Sequence, residues 1–265
     1  MKTVPMSQEQ VYLFDLQGFV VLKQVVPQSA IEKANRVMEK LEHMNPAEFP
    51  PPLTLGEEKT HENLYIGNIL EADPAMAEFM AIPEVLGVIE KITGGPYRLN
   101  HSFSISRWRG GHTSLHSGGT PLKHNTHYHC QNGEFFSPHT TAAMPLLPCR
   151  PEDGCYAAIP GSHKSNFNRP WGNHPQENPP LIPVLAEPGD AIVFTEGLTH
   201  GSTVNTSGRP RRTLYWGYSV AWMTDWGSHN IHFSPKLNEW LNEDQRQLVA
   251  LRCGDGSTMA RMTVG

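Results

Sequence analysis

Residues 189–213 read GDAIVFTEGLTHGSTVNTSGRPRRT. The apolar run at 191–194 predicts a strand, and a glycine-containing turn separates it from His200. A histidine at a strand edge is suited to bind a metal ion. Arg211 begins a second apolar strand, and its planar guanidinium matches a carboxylate with two hydrogen bonds. The segment therefore predicts a metal site next to a carboxylate-binding site, provided that His200 and Arg211 face one cavity.

Short apolar segments and turn residues alternate through the middle of the chain. The 265 residues include 23 glycines and 23 prolines, and these are scattered without a repeat. Strands are predicted at residues 98–106, 113–116, 140–147, 155–159, 181–185, 191–194 and 211–220. This spacing is typical of an antiparallel sandwich or barrel. We therefore expect a mainly β protein with flanking helices, built as a double-stranded β-helix of the jelly-roll, cupin-like type.

Helical signals lie towards the two ends of the chain. N-cap residues, helix-opening prolines and periodic apolar residues predict helices at residues 7–15, 27–44, 74–80, 83–92 and 235–251. A strand is predicted between the first two, at 18–22. The simplest organisation is one domain over residues 1–265, with a mostly helical layer at 1–96, a β-helix at 97–222 and a helical closure at 223–265.

Composition argues against several functional classes. The net charge is −5, without a long run of like charge, which argues against nucleic acid as the main partner. No stretch approaches the roughly 18 apolar residues that span a membrane, and the amino terminus lacks a signal-peptide core. Cys130, Cys149, Cys155 and Cys253 form no C-x-x-C pair, so we expect reduced thiols. A cytoplasmic protein that binds a small molecule is expected, and no feature of the sequence sets an oligomeric state.

Histidines are dense between residues 101 and 139, and two patterns there compete for the partner of His200. In the first, a predicted strand ends at His116. The non-haem iron facial triad requires His-x-carboxylate on one strand and a histidine on another. His116 and His200 fit the two histidine positions, whereas Gly118 stands in the carboxylate position and cannot bind a metal.

The second pattern is HYHCQNGE at residues 127–134. Alternate residues of a strand share a face, so His127 and His129 are candidates to point inward together. Glu134 is a candidate to join them. With His200 they would form the three-histidine, one-glutamate set of the cupin metalloproteins, although the flanking glycines of that motif are missing.

A further segment, GCYAAIPGSHK at residues 154–164, is similar to the GC…PGSHK element of the phytanoyl-CoA dioxygenase family. Gly189-Asp190, His200-Gly201-Ser202, Asn205 and Arg211 resemble the distal half of that family's motif. DLQGFVV at residues 15–21 resembles its GF-V opening. The resemblance therefore extends from about residue 15 to about residue 220.

The resemblance implies an iron(II)- and 2-oxoglutarate-dependent oxygenase on a double-stranded β-helix, which uses O2 to hydroxylate a small organic substrate. It implies that His200 is the distal iron ligand and His116 the proximal one. It also implies that Arg211 pairs with the far carboxylate of 2-oxoglutarate and that Ser202 adds a hydrogen bond to it.

The chain departs from the family at one position, since it has His116-Ser117-Gly118 where the family has His-x-Asp or His-x-Glu. Three interpretations follow. Another residue, such as Glu134, His127 or His129, supplies the third ligand. Chloride fills the open position, as in the related iron halogenases. Alternatively, the protein is a cupin-like or inactive β-helix that binds a metal or ligand without oxygen chemistry.

From the sequence alone, Gly118→Asp is expected to tighten iron(II) binding, because it would restore the missing carboxylate. The dissociation constant for iron(II), measured in an anaerobic titration, tests this. An unchanged constant would argue against His116 as a ligand.

Overall fold

The computed structural model describes residues 1–223 and 233–250, with antiparallel sheets at its centre. The helices are α1 (Gln8–Gln17), α2 (Gln28–His43), α3 (Pro83–Thr93), α4 (Leu237–Trp240) and α5 (Glu243–Val249). The strands are β1 (Phe19–Leu22), β2 (Thr54–Leu55), β3 (Asn63–Gly67), β4 (Tyr97–Arg107), β5 (His129–Gln131), β6 (Glu134–Phe136), β7 (His139–Pro145), β8 (Tyr156–Ala158), β9 (Ile182–Pro183), β10 (Ala191–Thr195), β11 (His200–Ser202) and β12 (Arg211–Val220).

Two of the sheets face each other. The larger has the order β1-β10-β7-β12-β4-β3-β2, and the smaller has the order β11-β8-β9. An antiparallel bridge between His116 and His200 adds the segment before residue 117 to the smaller sheet. Apolar side chains from both sheets, among them Ile105, Tyr156 and Phe194, form one buried cluster between them. The mainly β fold expected from the sequence is therefore confirmed.

The helices pack on the outer face of the larger sheet. Side chains of a strand alternate between its two faces. On β12, Leu214, Trp216 and Tyr218 belong to the core shared with the helices, whereas Tyr215 belongs to the cluster between the sheets. The helical layer therefore leaves the inner face of β12 to the space between the sheets.

Some predicted elements differ from the structure. Residues 74–79 form a 3-10 helix instead of an α-helix, with Asp73 capping it through Ala75 N–H. The closing helix is two short helices, because Asn242 caps a new one with a reciprocal bond to Gln245; Leu251 lies outside the described residues. Strands β2, β3, β6 and β11 were not predicted. Among the described residues, no helix is long and apolar enough to cross a membrane.

Arg212 joins the sheet to the helical layer. Its guanidinium donates to both oxygens of Glu42 on α2, at 2.8 and 2.7 Å, and to Asn35 Oδ1 at 3.1 Å. Ser106 donates to Glu42 as well, at 2.6 Å. The Glu42 side chain is 6% exposed, so its charge depends on these donors. Arg212 thus faces away from the inner face of β12, as its position next to Arg211 predicts.

Arg212→Ala should lower the free energy of unfolding by about 3–5 kcal/mol, because it leaves a buried carboxylate without its cation. Urea denaturation at neutral pH measures this. Lys33→Ala is the control: it breaks the exposed ion pair with Glu78 and should change stability by less than about 1 kcal/mol. Equal losses in both variants would contradict the role given to Arg212.

Candidate metal centre

A cavity of about 710 Å³ opens between the two sheets. His116 and His200 line it from the smaller sheet, and Phe103 and Tyr215 line it from the larger one. The rings of Phe103 and Tyr215 are stacked with centroids 4.6 Å apart, and Tyr65 stacks on the other side of Phe103 at 4.9 Å. The cavity therefore has two imidazoles on one wall and a continuous stack of aromatic rings on the other.

The backbone brings the two imidazoles together. His116 N donates to His200 O at 3.0 Å, and His200 N donates to His116 O at 3.1 Å. Directly paired residues of antiparallel strands place their side chains side by side. The two ring centroids are accordingly 4.2 Å apart, in an edge-to-face arrangement. The pair expected from the sequence is therefore formed by a single β-bridge.

Hydrogen bonds fix the tautomer of each ring. His116 Nδ1 lies 2.9 Å from Ser114 O, and His200 Nδ1 lies 2.7 Å from Leu198 O. A carbonyl oxygen accepts but does not donate, so each Nδ1 carries the hydrogen and each Nε2 keeps its lone pair. A backbone carbonyl on the far ring nitrogen is the usual support of a metal-binding histidine. Both rings therefore present the atom that a metal ion requires.

Both imidazoles are neutral at neutral pH. Burial lowers the pKa of His200 to about 4. Burial and, to a smaller extent, the neighbouring His200 lower the pKa of His116 to about 4. A neutral imidazole is the form that binds a metal ion.

One acid that the sequence analysis did not single out lies beside the imidazoles. Glu196 is 5% exposed, lines the same cavity, and has its Oε2 4.0 Å from His200 Nε2. The hydroxyl of Thr141 donates to its other oxygen at 2.6 Å. Alternation from Phe194 was the available signal, because residues 194 and 196 share a face when the extended chain continues. Within residues 1–223 and 233–250, no three His, Cys, Asp or Glu side chains are so arranged that together they could hold a metal ion.

Arg211 lies fully buried at the start of β12, where it contacts Tyr215 of the cavity wall but does not itself line the cavity of about 710 Å³. Its Nε donates to Thr213 Oγ1 at 3.2 Å, and its Nη2 donates to Tyr215 Oη at 2.5 Å. Its Nη1 is buried without a hydrogen-bond partner in the described part of the chain. The hydroxyl of Tyr156, on the cavity wall, is likewise unpartnered. Burial raises the pKa of Tyr156 well above its ordinary value, so this hydroxyl remains a donor. Unpaired buried donors are rare, and a carboxylate ligand would satisfy such groups.

Ser202, the second predicted contact of 2-oxoglutarate, has hydrogen-bond partners within the protein. Its hydroxyl accepts from Thr113 N–H at 2.8 Å and donates to Thr203 O at 3.1 Å. It thus bonds to the backbone of the smaller sheet.

The hydroxyl that contacts Arg211 belongs to Thr213, which the sequence analysis did not single out. Its position two residues after Arg211 was the available signal, since such residues share a face.

The alternative ligands are not brought to His200. Glu134 is exposed, and its carboxylate pairs with Lys91 at 2.6 Å. The rings of His127 and His129 stack on each other at 5.6 Å, next to the separate two-stranded sheet of β5 and β6. None of the three lines the cavity. The structure therefore gives no support to the cupin set or to Glu134 as the third ligand.

Gly118 also lies outside the cavity. It lines a second cavity of about 380 Å³, together with Ser117 and Thr199. Its φ is +131°, and a Cβ there would lie 3.0 Å from Thr199 Oγ1. The expectation that an aspartate here would complete the metal site is therefore not supported by the structure, because position 118 faces Thr199 and a different cavity.

The PGSHK element supports the strand of His200 from outside. Thr199 N donates to Ser162 Oγ at 2.8 Å, and Ile159 N donates to Thr199 O at 2.9 Å. Its other end holds the beginning of the chain, since Lys164 Nζ lies 3.2 Å from Asp15 Oδ2. The motif thus joins the residue before His200 to the segment before β1.

The sequence model of the phytanoyl-CoA dioxygenase family matches residues 14–213, which is most of the chain. The chain belongs to the phytanoyl-CoA dioxygenase family. The match includes the PGSHK element, both cavity histidines and Arg211.

Relatives within and around this family are distant. Dioxygenase cdmD of Talaromyces verruculosus is 31% identical over 107 residues, which are 40% of this chain and 34% of that protein. Peroxisomal phytanoyl-CoA dioxygenase of Homo sapiens is 23% identical over 231 residues, which are 78% of this chain and 66% of that protein. The chain thus spans about a third of the length of the first curated relatives that it matches.

Solved structures confirm the fold class. HygX from Streptomyces hygroscopicus, crystallised with nickel and 2-oxoglutarate bound, superposes with a TM-score of 0.71. The superposition covers 83% of this chain and 90% of HygX, at 22% sequence identity. The double-stranded β-helix expected for a phytanoyl-CoA dioxygenase family member is therefore confirmed.

Gly118→Asp should lower the free energy of unfolding by about 1–3 kcal/mol, because a positive φ strains any residue with a Cβ. It should leave metal affinity unchanged, because position 118 lies outside the cavity. Urea denaturation and a metal titration measure the two effects. Gly118→Ala is the control, since it carries the same backbone strain without a carboxylate. Tighter metal binding by the aspartate variant than by the alanine variant would contradict this placement.

Proposed function

We propose that this protein is an iron(II)- and 2-oxoglutarate-dependent oxygenase that hydroxylates a small organic substrate. The observation that carries the proposal is the pair His116 and His200, whose Nε2 lone pairs face one cavity while their Nδ1 atoms are tied to carbonyls. The unpartnered Nη1 of Arg211 supports the cosubstrate assignment. The 2-oxoglutarate bound in the structure of HygX, which shares the fold, is consistent with it.

Residues in the cavity and directly behind its wall fit the cofactors. His116 and His200 would hold the iron, and Arg211 would pair with the far carboxylate of 2-oxoglutarate. Thr213 and Tyr215 hold the guanidinium in place through Nε and Nη2, which leaves Nη1 for the ligand. When bound, iron, 2-oxoglutarate and O2 together supply the oxidising power that hydroxylation requires.

The aromatic wall would position the substrate and exclude water. Tyr65, Phe103 and Tyr215 stack face to face with interplanar angles of 13° and 4°, so together they form an aromatic column opposite the imidazoles. Such a wall suits an apolar portion of a small organic molecule. Excluding water from the cavity strengthens the interactions of the remaining polar groups. Glu57 and His112 add polar groups to the same walls.

Hydroxylation is favoured over the halogenase alternative. Chloride at an open metal position would share the cavity with the carboxylate of Glu196, which lies 4.0 Å from His200 Nε2. Like charges at such distances repel more strongly in a buried site than in water. The cupin-like alternative loses its ligand set, because His127 and His129 lie outside the cavity. A single domain and a cytoplasmic location remain predictions from the sequence.

Anaerobic titration of the protein with iron(II) and 2-oxoglutarate should produce the weak visible charge-transfer band of a keto-acid complex. His200→Ala should abolish the band, because it removes a buried ligand atom. Absorption spectroscopy measures both. Wild-type protein that binds iron(II) but gives no band with 2-oxoglutarate would contradict the proposal.

Arg211→Lys should raise the dissociation constant for 2-oxoglutarate by about 10- to 100-fold, because a point charge replaces the guanidinium fork. The band intensity against 2-oxoglutarate concentration measures this constant, and its value at saturation shows that the iron site is intact. Arg36→Lys, at an exposed position of α2, is the control and should leave the constant unchanged. Equal constants for Arg211→Lys and wild type would rule out Arg211 as the carboxylate partner.

A further inference from the structure

Glu196 is a buried acid with no Lys or Arg nitrogen within 4.0 Å among the described residues. In the described part of the chain, its one ion contact within 4.0 Å is His200 Nε2. That nitrogen carries a lone pair, because Nδ1 of the same ring holds the hydrogen. A buried carboxylate without a cation is costly, so such groups are normally paired or bind a metal ion. Glu196 therefore has the environment of a ligand, not of an ion-pair partner.

Acceptor atoms converge at this end of the cavity. His116 Nε2, His200 Nε2 and Glu196 Oε2 are acceptors from three segments that line one cavity, with the imidazole centroids 4.2 Å apart. Facing acceptors without a donor between them repel one another. In the positions that the structure gives, the three side chains do not yet form a ligand set that could hold a metal ion. A divalent cation would satisfy all three acceptors by drawing them together, and two imidazoles with one carboxylate are the donor set that suits iron(II).

Hydrogen bonds to the side chain and to the backbone hold Glu196 in place. Thr141 on β7 donates to Oε1 at 2.6 Å, which leaves Oε2 on the side of His200. The backbone is fixed as well, since Glu196 N donates to His139 O at 3.1 Å. Sites built on strands with supporting hydrogen bonds hold their ligands most accurately.

We propose that Glu196 is the third protein ligand of the metal ion and takes the part of the acid that is missing at Gly118. This inference rests on the proposed function, because it assumes that His116 and His200 bind the metal. It moves the carboxylate from the segment after His116 to the segment between β10 and β11. It also leaves Glu134 without a part in metal binding.

The test uses manganese(II) alone as a stand-in for iron(II), with free manganese(II) measured by electron paramagnetic resonance. Glu196→Gln keeps the size of the side chain and an oxygen for Thr141, but removes the charge. It should weaken manganese(II) binding by about tenfold or more, as loss of a ligand requires. Glu134→Gln is the matched control, at an exposed acid, and should bind manganese(II) as the wild type does.

Thermal unfolding without metal gives an independent readout. If Glu196 only supported the fold, Glu196→Gln would lower the melting temperature of the metal-free protein. As a ligand without a cation, its charge is unfavourable in that state, so the variant should melt at the same temperature or higher. Added manganese(II) should then raise the melting temperature of wild type more than that of Glu196→Gln.

The outcomes separate this inference from the proposed function. If wild type and Glu196→Gln bind manganese(II) equally while His200→Ala does not, the inference is wrong and the proposed function stands. If wild type binds no manganese(II), the proposed function fails and the inference fails with it. A melting temperature lowered by Glu196→Gln would overturn the inference as well.

Discussion

The reciprocal backbone hydrogen bonds between His116 and His200 are the contact on which the candidate site depends. They add the segment before residue 117 to the smaller sheet and place the two rings side by side. The strand register places the two residues opposite each other, so their side chains are neighbours without any further rearrangement. Behind this bridge, Ser162 holds the backbone of Thr199, so the family's PGSHK element supports the metal centre without lining the cavity of the two histidines.

The two faces of β12 carry two arginines with different surroundings. Arg212 faces outward and closes a buried ion pair with Glu42, whereas Arg211 faces the opposite side with one nitrogen left unpaired. Two adjacent arginines thus have opposite energetic roles. Arg212 is satisfied within the protein and stabilises the attachment of α2, whereas Arg211 keeps one nitrogen without a partner among the described residues. The alternation of a strand is sufficient to produce both.

Much of the fold and part of the site could be predicted from the sequence. Alternating apolar segments indicated most strands of the larger sheet. The predicted strand that ends at His116, together with the family resemblance, indicated His116 as the partner of His200. Strand β11 was not predicted, since three residues are too few to show the alternation of a strand. Ser202 was a candidate contact of 2-oxoglutarate, but its hydroxyl bonds to the backbone. Glu196 was not predicted as a site residue, because its role depends on Thr141 and His200, which come close to it only in the folded structure.

The position of Gly118 has a consequence for protein engineering. Residues 117–120 border an outer cavity, whereas the carboxylate nearest the imidazoles belongs to the residue that follows β10. At Gly119 a Cβ would lie 2.7 Å from the backbone oxygen of Ser165, so this segment has little room for larger side chains. A redesign that restores the family's His-x-Asp sequence would therefore strain a tightly packed turn without bringing a carboxylate into the cavity of the two histidines.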